Sequence, residues 1–122
     1  MAHSVTVSPD EIERRHKAAI DAIRRAHGTL ADAHGATLFV SHHLNELGDE
    51  YWLKHCGVSQ PTATQVLDVL VFKKRWGCDE NDEIDDDGID TFDFTLPDDV
   101  TQYVICVEFN ENGDVDGVSM ES

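Results

Sequence analysis

From Thr91 onward the apolar residues of this chain fall at every second position, whereas before it they recur at helical spacing. A chain that changes period in this way divides into helices followed by strands. Phe92, Phe94 and Leu96 alternate with Asp93 and Thr95, a half-buried strand that Pro97 ends. In a second strand Tyr103, Ile105, Val107 and Phe109 share one face and Val104, Cys106 and Glu108 the other, so both faces are expected to be largely covered. Asn110-Glu111-Asn112-Gly113 supplies a turn whose final glycine can take positive φ, and a third strand is expected from Asp114 to Met120. Val115 and Val118 are an odd number of residues apart, so a bulge around Asp116-Gly117 is needed.

The first part of the chain carries helix signals. Ser8-Pro9-Asp10-Glu11 combines an N-cap serine, a proline at the first helical position and a glutamate completing a capping box. Ile12, Ala19, Ile20, Ile23 and Ala26 follow at helical spacing, with Gly28 as a stop. Acid and base pairs one turn apart, Asp10 with Arg14, Glu11 with Arg15, Glu13 with Lys17 and Asp21 with Arg25, predict a solvated face worth about 0.2–0.5 kcal/mol per pair. Leu44, Leu47, Tyr51 and Trp52 suit short helical turns broken at Gly48, and Thr62 with Gln65 forms a second capping box. The apolar run Val69 to Phe72 suits helix or strand. The expected architecture is therefore α+β in one domain over 1–122. N-terminal helices over about 9–72 pack on a C-terminal antiparallel β-meander of about three strands over about 91–120, with an acidic loop at 79–90 between them.

Charge sharpens this division. All nine Lys and Arg residues lie at or before Arg75, where nine acids balance them, so the net charge of −16 belongs to the stretch from Gly77 to Ser122. Such a surface repels nucleic acid and anionic membranes and suits a cationic partner or a hard metal ion. The acids are interleaved with Phe, Ile, Val and Tyr, so this third should fold. With no basic region leading into an apolar stretch at the N-terminus and no segment of roughly 18 apolar residues, a cytoplasmic location is expected. Cys56, Cys78 and Cys106 lack CxxC spacing and read as buried or incidental thiols.

Chemically suggestive clusters are incomplete. Glu83, Asp85, Asp87 and Gly88 match the first half of an EF-hand loop, but Phe94 stands where the bidentate glutamate belongs. Glu108, Asn110, Asn112, Gly113 and Asp116 give a similar near miss, with Ser119 in the last ligand place. His42 and Glu46 would share a helical face and could begin a metal site with His55, yet three converging ligands are not defined by spacing. Cys56 beside His55 has no third group to orient a nucleophile and base. No Walker A, dinucleotide fingerprint, GxSxG or HExxH occurs, and no cofactor is expected.

Several stretches carry a resemblance. Tyr51-Trp52-Leu53-Lys54-His55, Pro61-Thr62 leading to Gln65 through Leu70, Phe92 through Pro97, Tyr103-Val104-Ile105 and the closing Gly117-Val118-Ser119-Met120-Glu121-Ser122 resemble a small bacterial domain-of-unknown-function family, the one numbered two thousand and four. The likeness runs from about Thr37 to Ser122. It implies a small bacterial cytoplasmic protein and supplies no catalytic residues.

The expected function is a non-catalytic acidic module that engages a basic protein, in the form of an immunity or antitoxin-like protein capping a cationic toxin. Asp85, Asp86, Asp87, Asp90, Asp93, Asp98 and Asp99 are the contact candidates. The alternative is a metal-dependent enzyme or metal-binding protein using His42, Glu46, His55, Asp85 and Asp87. Acids that only maintain solubility give the plainer reading. Neither nucleic acid nor membrane is an expected partner, and the oligomeric state is left open.

Overall fold

A computed structural model describes residues 8–78, 83–85 and 88–122, with the side chains of Cys78, Ile84 and Asp85 left aside. Four α-helices, α1 (Pro9–Ala26), α2 (Ala36–Glu46), α3 (Asp49–Cys56) and α4 (Ala63–Asp68), precede an antiparallel sheet. Its strands are β1 (Val71–Cys78), the two-residue β2 (Ile84–Asp85), β3 (Thr91–Thr95), β4 (Val104–Phe109) and β5 (Val115–Glu121), in the order β2-β1-β3-β4-β5. The α+β class follows directly, with helices first and the meander last.

The period-two strands form as their patterns require. Phe92 and Phe94 on β3, and Ile105, Val107 and Phe109 on β4, turn one face of the sheet toward the helices. There they meet Ala19 and Ile23 of α1, Phe39 and Val40 of α2, Trp52 of α3, and Val66 and Leu67 of α4. The hairpin between β4 and β5 closes on Gly113 at φ 81°, and a side chain there would collide with Arg14. Asn110 stiffens the turn by accepting from the backbone N–H groups of Asn112 and Asp114 at 2.9 and 3.1 Å. Glu108 pairs with Gly117 but Phe109 with Val115, so Asp116 is the bulged residue.

The helix termini repay closer reading. Thr62 and Gln65 make the reciprocal capping box on α4. At α1 only half of the expected box forms: Ser8 Oγ accepts from the Glu11 N–H at 3.1 Å, but the Glu11 carboxylate turns to Arg14 and Arg15 instead, both at 2.7 Å. Those two guanidinium groups hold Glu11 down to about 2, well below the usual carboxylate range. Two charge-assisted bonds outweigh one bond to a helix-terminal N–H. Arg15 is accordingly not on a solvated face. It is buried, lies over the Phe109 ring and donates to the Ile89 carbonyl at 2.8 Å. Buried Asp32, just before α2, accepts from the N–H groups of Ala36 and Thr37 and satisfies that helix start.

The main departure from the sequence reading is β1. The helical segment expected to reach about residue 72 stops at Asp68, and Val71 to Cys78 pairs with β3 as a strand. A register shift between Phe72 and Lys74 breaks its alternation, and Lys73 and Lys74 make it polar. Over most of its length β1 is an edge, because β2 pairs only with Gly77 and Cys78, and lysines are what such an edge tolerates. No helix among the described residues is long and apolar enough to cross a membrane.

Candidate functional site

The helices cover one face of the sheet, and the register shows what occupies the other. Cross-strand rows run Lys74, Asp93, Cys106, Ser119 and, beside it, Trp76, Thr91, Glu108, Gly117. Of these, Lys74, Asp93, Cys106, Trp76, Thr91 and Glu108, together with Lys73, Val104 and Glu121, line a groove of about 480 Å³, within the range of small-ligand sites. Its floor is buried without a helix above it, since Thr91, Asp93, Val104 and Cys106 are each less than 9% exposed. Long side chains of the same face supply that cover.

Asp93 is the chemically distinctive member. It is 4% exposed, and the Trp76 indole N–H donates to its Oδ2 at 3.2 Å. Among the described residues no group meets hydrogen-bond geometry to its Oδ1. A buried carboxylate oxygen left in this state costs stability, so the arrangement is not explained by folding alone. Lys74 is its neighbour on β1, yet neither Lys73 nor Lys74 makes an ion pair among the described residues, and both are exposed. Cys106 lies across on β4. Burial first, and then the hydrogen bond and charge of the adjacent Asp93 carboxylate, push its thiol well above the usual thiol range, with Glu121 and Glu108 adding to the effect. A thiol held protonated in this way is a poor nucleophile and a weak donor.

Of the anticipated metal residues, His42, Glu46 and His55 do not come together, while Asp87 and the side chain of Asp85 lie outside the described residues. His42 meets Tyr103 edge to face, while His55 donates from Nε2 to Asp98 at 2.9 Å. Glu46 is exposed near the end of α2. Among the described residues no three His, Cys, Asp or Glu side chains are grouped to hold a metal ion. Nor does His55 serve Cys56, whose Sγ points to the Gln65 carbonyl at 3.7 Å and whose thiol is raised mainly by burial. His43 is structural: Nδ1 donates to the Phe39 carbonyl at 2.7 Å and Nε2 accepts from the Thr101 hydroxyl at 2.9 Å.

The acidic contact candidates are also dispersed. Asp86 and Asp87 lie outside the described residues, as does the side chain of Asp85. Asp90 sits before β3, where its carbonyl accepts from the Phe109 N–H at 2.8 Å, whereas Asp98 and Asp99 follow the other end of that strand. Asp98 takes Lys54 at 2.8 Å as well as His55, and these hold its carboxyl below the ordinary value. It therefore latches the turn after Pro97 to α3. Asp93 lies on the uncovered face but beneath Trp76, not displayed to solvent. Among the described candidates, Asp90, Asp93 and Asp98 thus do not share one continuous face. Trp76, Lys74 and Cys106 escaped the sequence reading because only the pairing of β1 with β3 places them around Asp93.

No family model, curated protein or solved structure matches the chain.

Proposed function

We propose that this protein is a non-catalytic acidic binding module for a basic protein partner, of the immunity or antitoxin-like kind. The observation that carries the reading is the unequal use of charge. Arg14, Arg15, Lys17, Arg24 and Lys54 are engaged in ion pairs with the chain's own acids. On the β4–β5 hairpin, by contrast, Glu108, Glu111, Asp116 and Glu121 are exposed and form no ion pair among the described residues. A base-free hairpin at the sheet's edge attracts a cationic surface and speeds its approach. The hairpin acids are thus added to the contact surface; the acidic loop at 79–90 lies largely outside the described residues. The proposal includes a place in the bacterial cytoplasm and membership of the family that Tyr51 to His55 and the closing Met120-Glu121-Ser122 resemble.

The test is co-purification with the product of the adjacent gene, followed by calorimetry from about 0.05 to 0.5 M salt, across which exposed charge pairs are progressively screened. Affinity should fall by about tenfold or more, and fall likewise when Glu108, Glu111 and Glu121 are changed to Gln and Asp116 to Asn. No complex, or one indifferent to salt and to those substitutions, contradicts the proposal.

A further inference from the structure

The groove on the uncovered face has a chemical demand that the hairpin reading does not use. Asp93 Oδ1 is buried in its floor without a donor, while Oδ2 is already taken by the Trp76 indole. The other buried polar atom in this condition among the described residues, Trp52 Nε1, belongs to the apolar core under the helices. Asp93 lines a groove of ligand size.

Three properties specify what fits. The occupant must bring an N–H or O–H donor to Oδ1, because an unmatched acceptor at this depth is costly and the Cys106 thiol, which reaches the Asp93 carboxylate, is too weak a donor to satisfy that oxygen. It should be cationic, because the lining carries three carboxylates, Asp93, Glu108 and Glu121, against two lysines, Lys73 and Lys74, and of these five only Asp93 is buried. It should also have an apolar portion, because Trp76 and Val104 line the same space and an indole face attracts cations and hydrocarbon alike. Thiol chemistry is not part of the site, since Cys106 is held protonated.

We propose that the Asp93 groove is a binding site for a small organic cation bearing N–H donors, an alkylammonium or alkylguanidinium, whose charged head meets Asp93 Oδ1 and whose body lies against Trp76. A quaternary ammonium of the same charge lacks the donor and should be rejected. A neutral urea has the donor but not the charge.

Calorimetry on the intact chain with n-butylguanidinium, n-butylammonium, n-butyltrimethylammonium and n-butylurea separates these requirements. At least one of the first two should bind about tenfold or more tighter than the last two, and which one leads tells the guanidinium source from the amine. In an ¹⁵N spectrum the Trp76 indole resonance should move with that ligand while the Trp52 indole stays in place. Asp93→Asn should weaken the tighter ligand by about tenfold, and Asp21→Asn, exposed on α1 on the helix side of the sheet, should leave it unchanged. Equal binding of all four compounds, a response at Trp52 without Trp76, or full affinity in a folded Asp93→Asn chain would overturn the site. Should that variant not fold, the four-compound comparison and the indole shift on the unsubstituted chain decide.

Discussion

The two faces of one sheet are buried by different means. On the helix side Phe92, Phe94, Ile105 and Val107 are sealed under α1 to α4 and need nothing but apolar neighbours. On the other side Thr91, Asp93 and Cys106 are almost as inaccessible, yet their cover consists of long side chains such as Trp76. The first kind of burial builds stability in proportion to the area removed from water. The second keeps a carboxylate oxygen without a partner, which lowers stability and is the signature expected of a surface retained for binding. Closeness to solvent therefore does not separate structure from function in this protein; what lies above each residue does.

Substitutions should reveal the contrast. Phe94→Ala empties a site in the middle of the covered face, and chemical denaturation should report a loss of about 3–5 kcal/mol. Trp76→Ala on the uncovered face removes more atoms but from a partly exposed position, and the same measurement should give about 1–2 kcal/mol, because water then reaches Asp93. A comparable loss at both positions would erase the distinction. The smallest effect concerns pH. Burial holds His43 below its ordinary 6.5, so the neutral ring is favoured in the folded chain. Stability from this group is complete above pH 6.5 and is lost as acidification protonates the unfolded chain first, down to the lower folded value. Melts between about pH 7 and 5 should show a shallower acid-side decline in His43→Gln than in the unsubstituted chain, since glutamine does not titrate.

Much of the covered face was legible in the sequence. Alternation from Phe92 to Phe109 defined β3 and β4 and their inward sides, and the odd spacing of Val115 and Val118 required the bulge found at Asp116. The Thr62–Gln65 box marked α4. Asp93 was assigned to the side away from Phe92 and Phe94, which is correct, but its exposure was not. Its cover comes from β1, a strand whose Lys73-Lys74-Arg75 stretch has no apolar alternation and whose register shifts after Phe72, so local pattern could not announce it. The groove exists only through cross-strand pairing between segments far apart in the chain. Likewise the role of Arg15 depends on Phe109 and Ile89, neither of which is near it in sequence.

The central claim is that Asp93 is kept for a ligand and not for the fold, and Asp93→Val tests it in one sample. Valine suits a β-strand and removes the partnerless oxygen, while the freed Trp76 indole can turn to water. The melting temperature should hold steady or rise by a few degrees, while calorimetric binding of the alkylammonium or alkylguanidinium disappears. A clear fall in melting temperature, or binding that survives the change, would contradict the account.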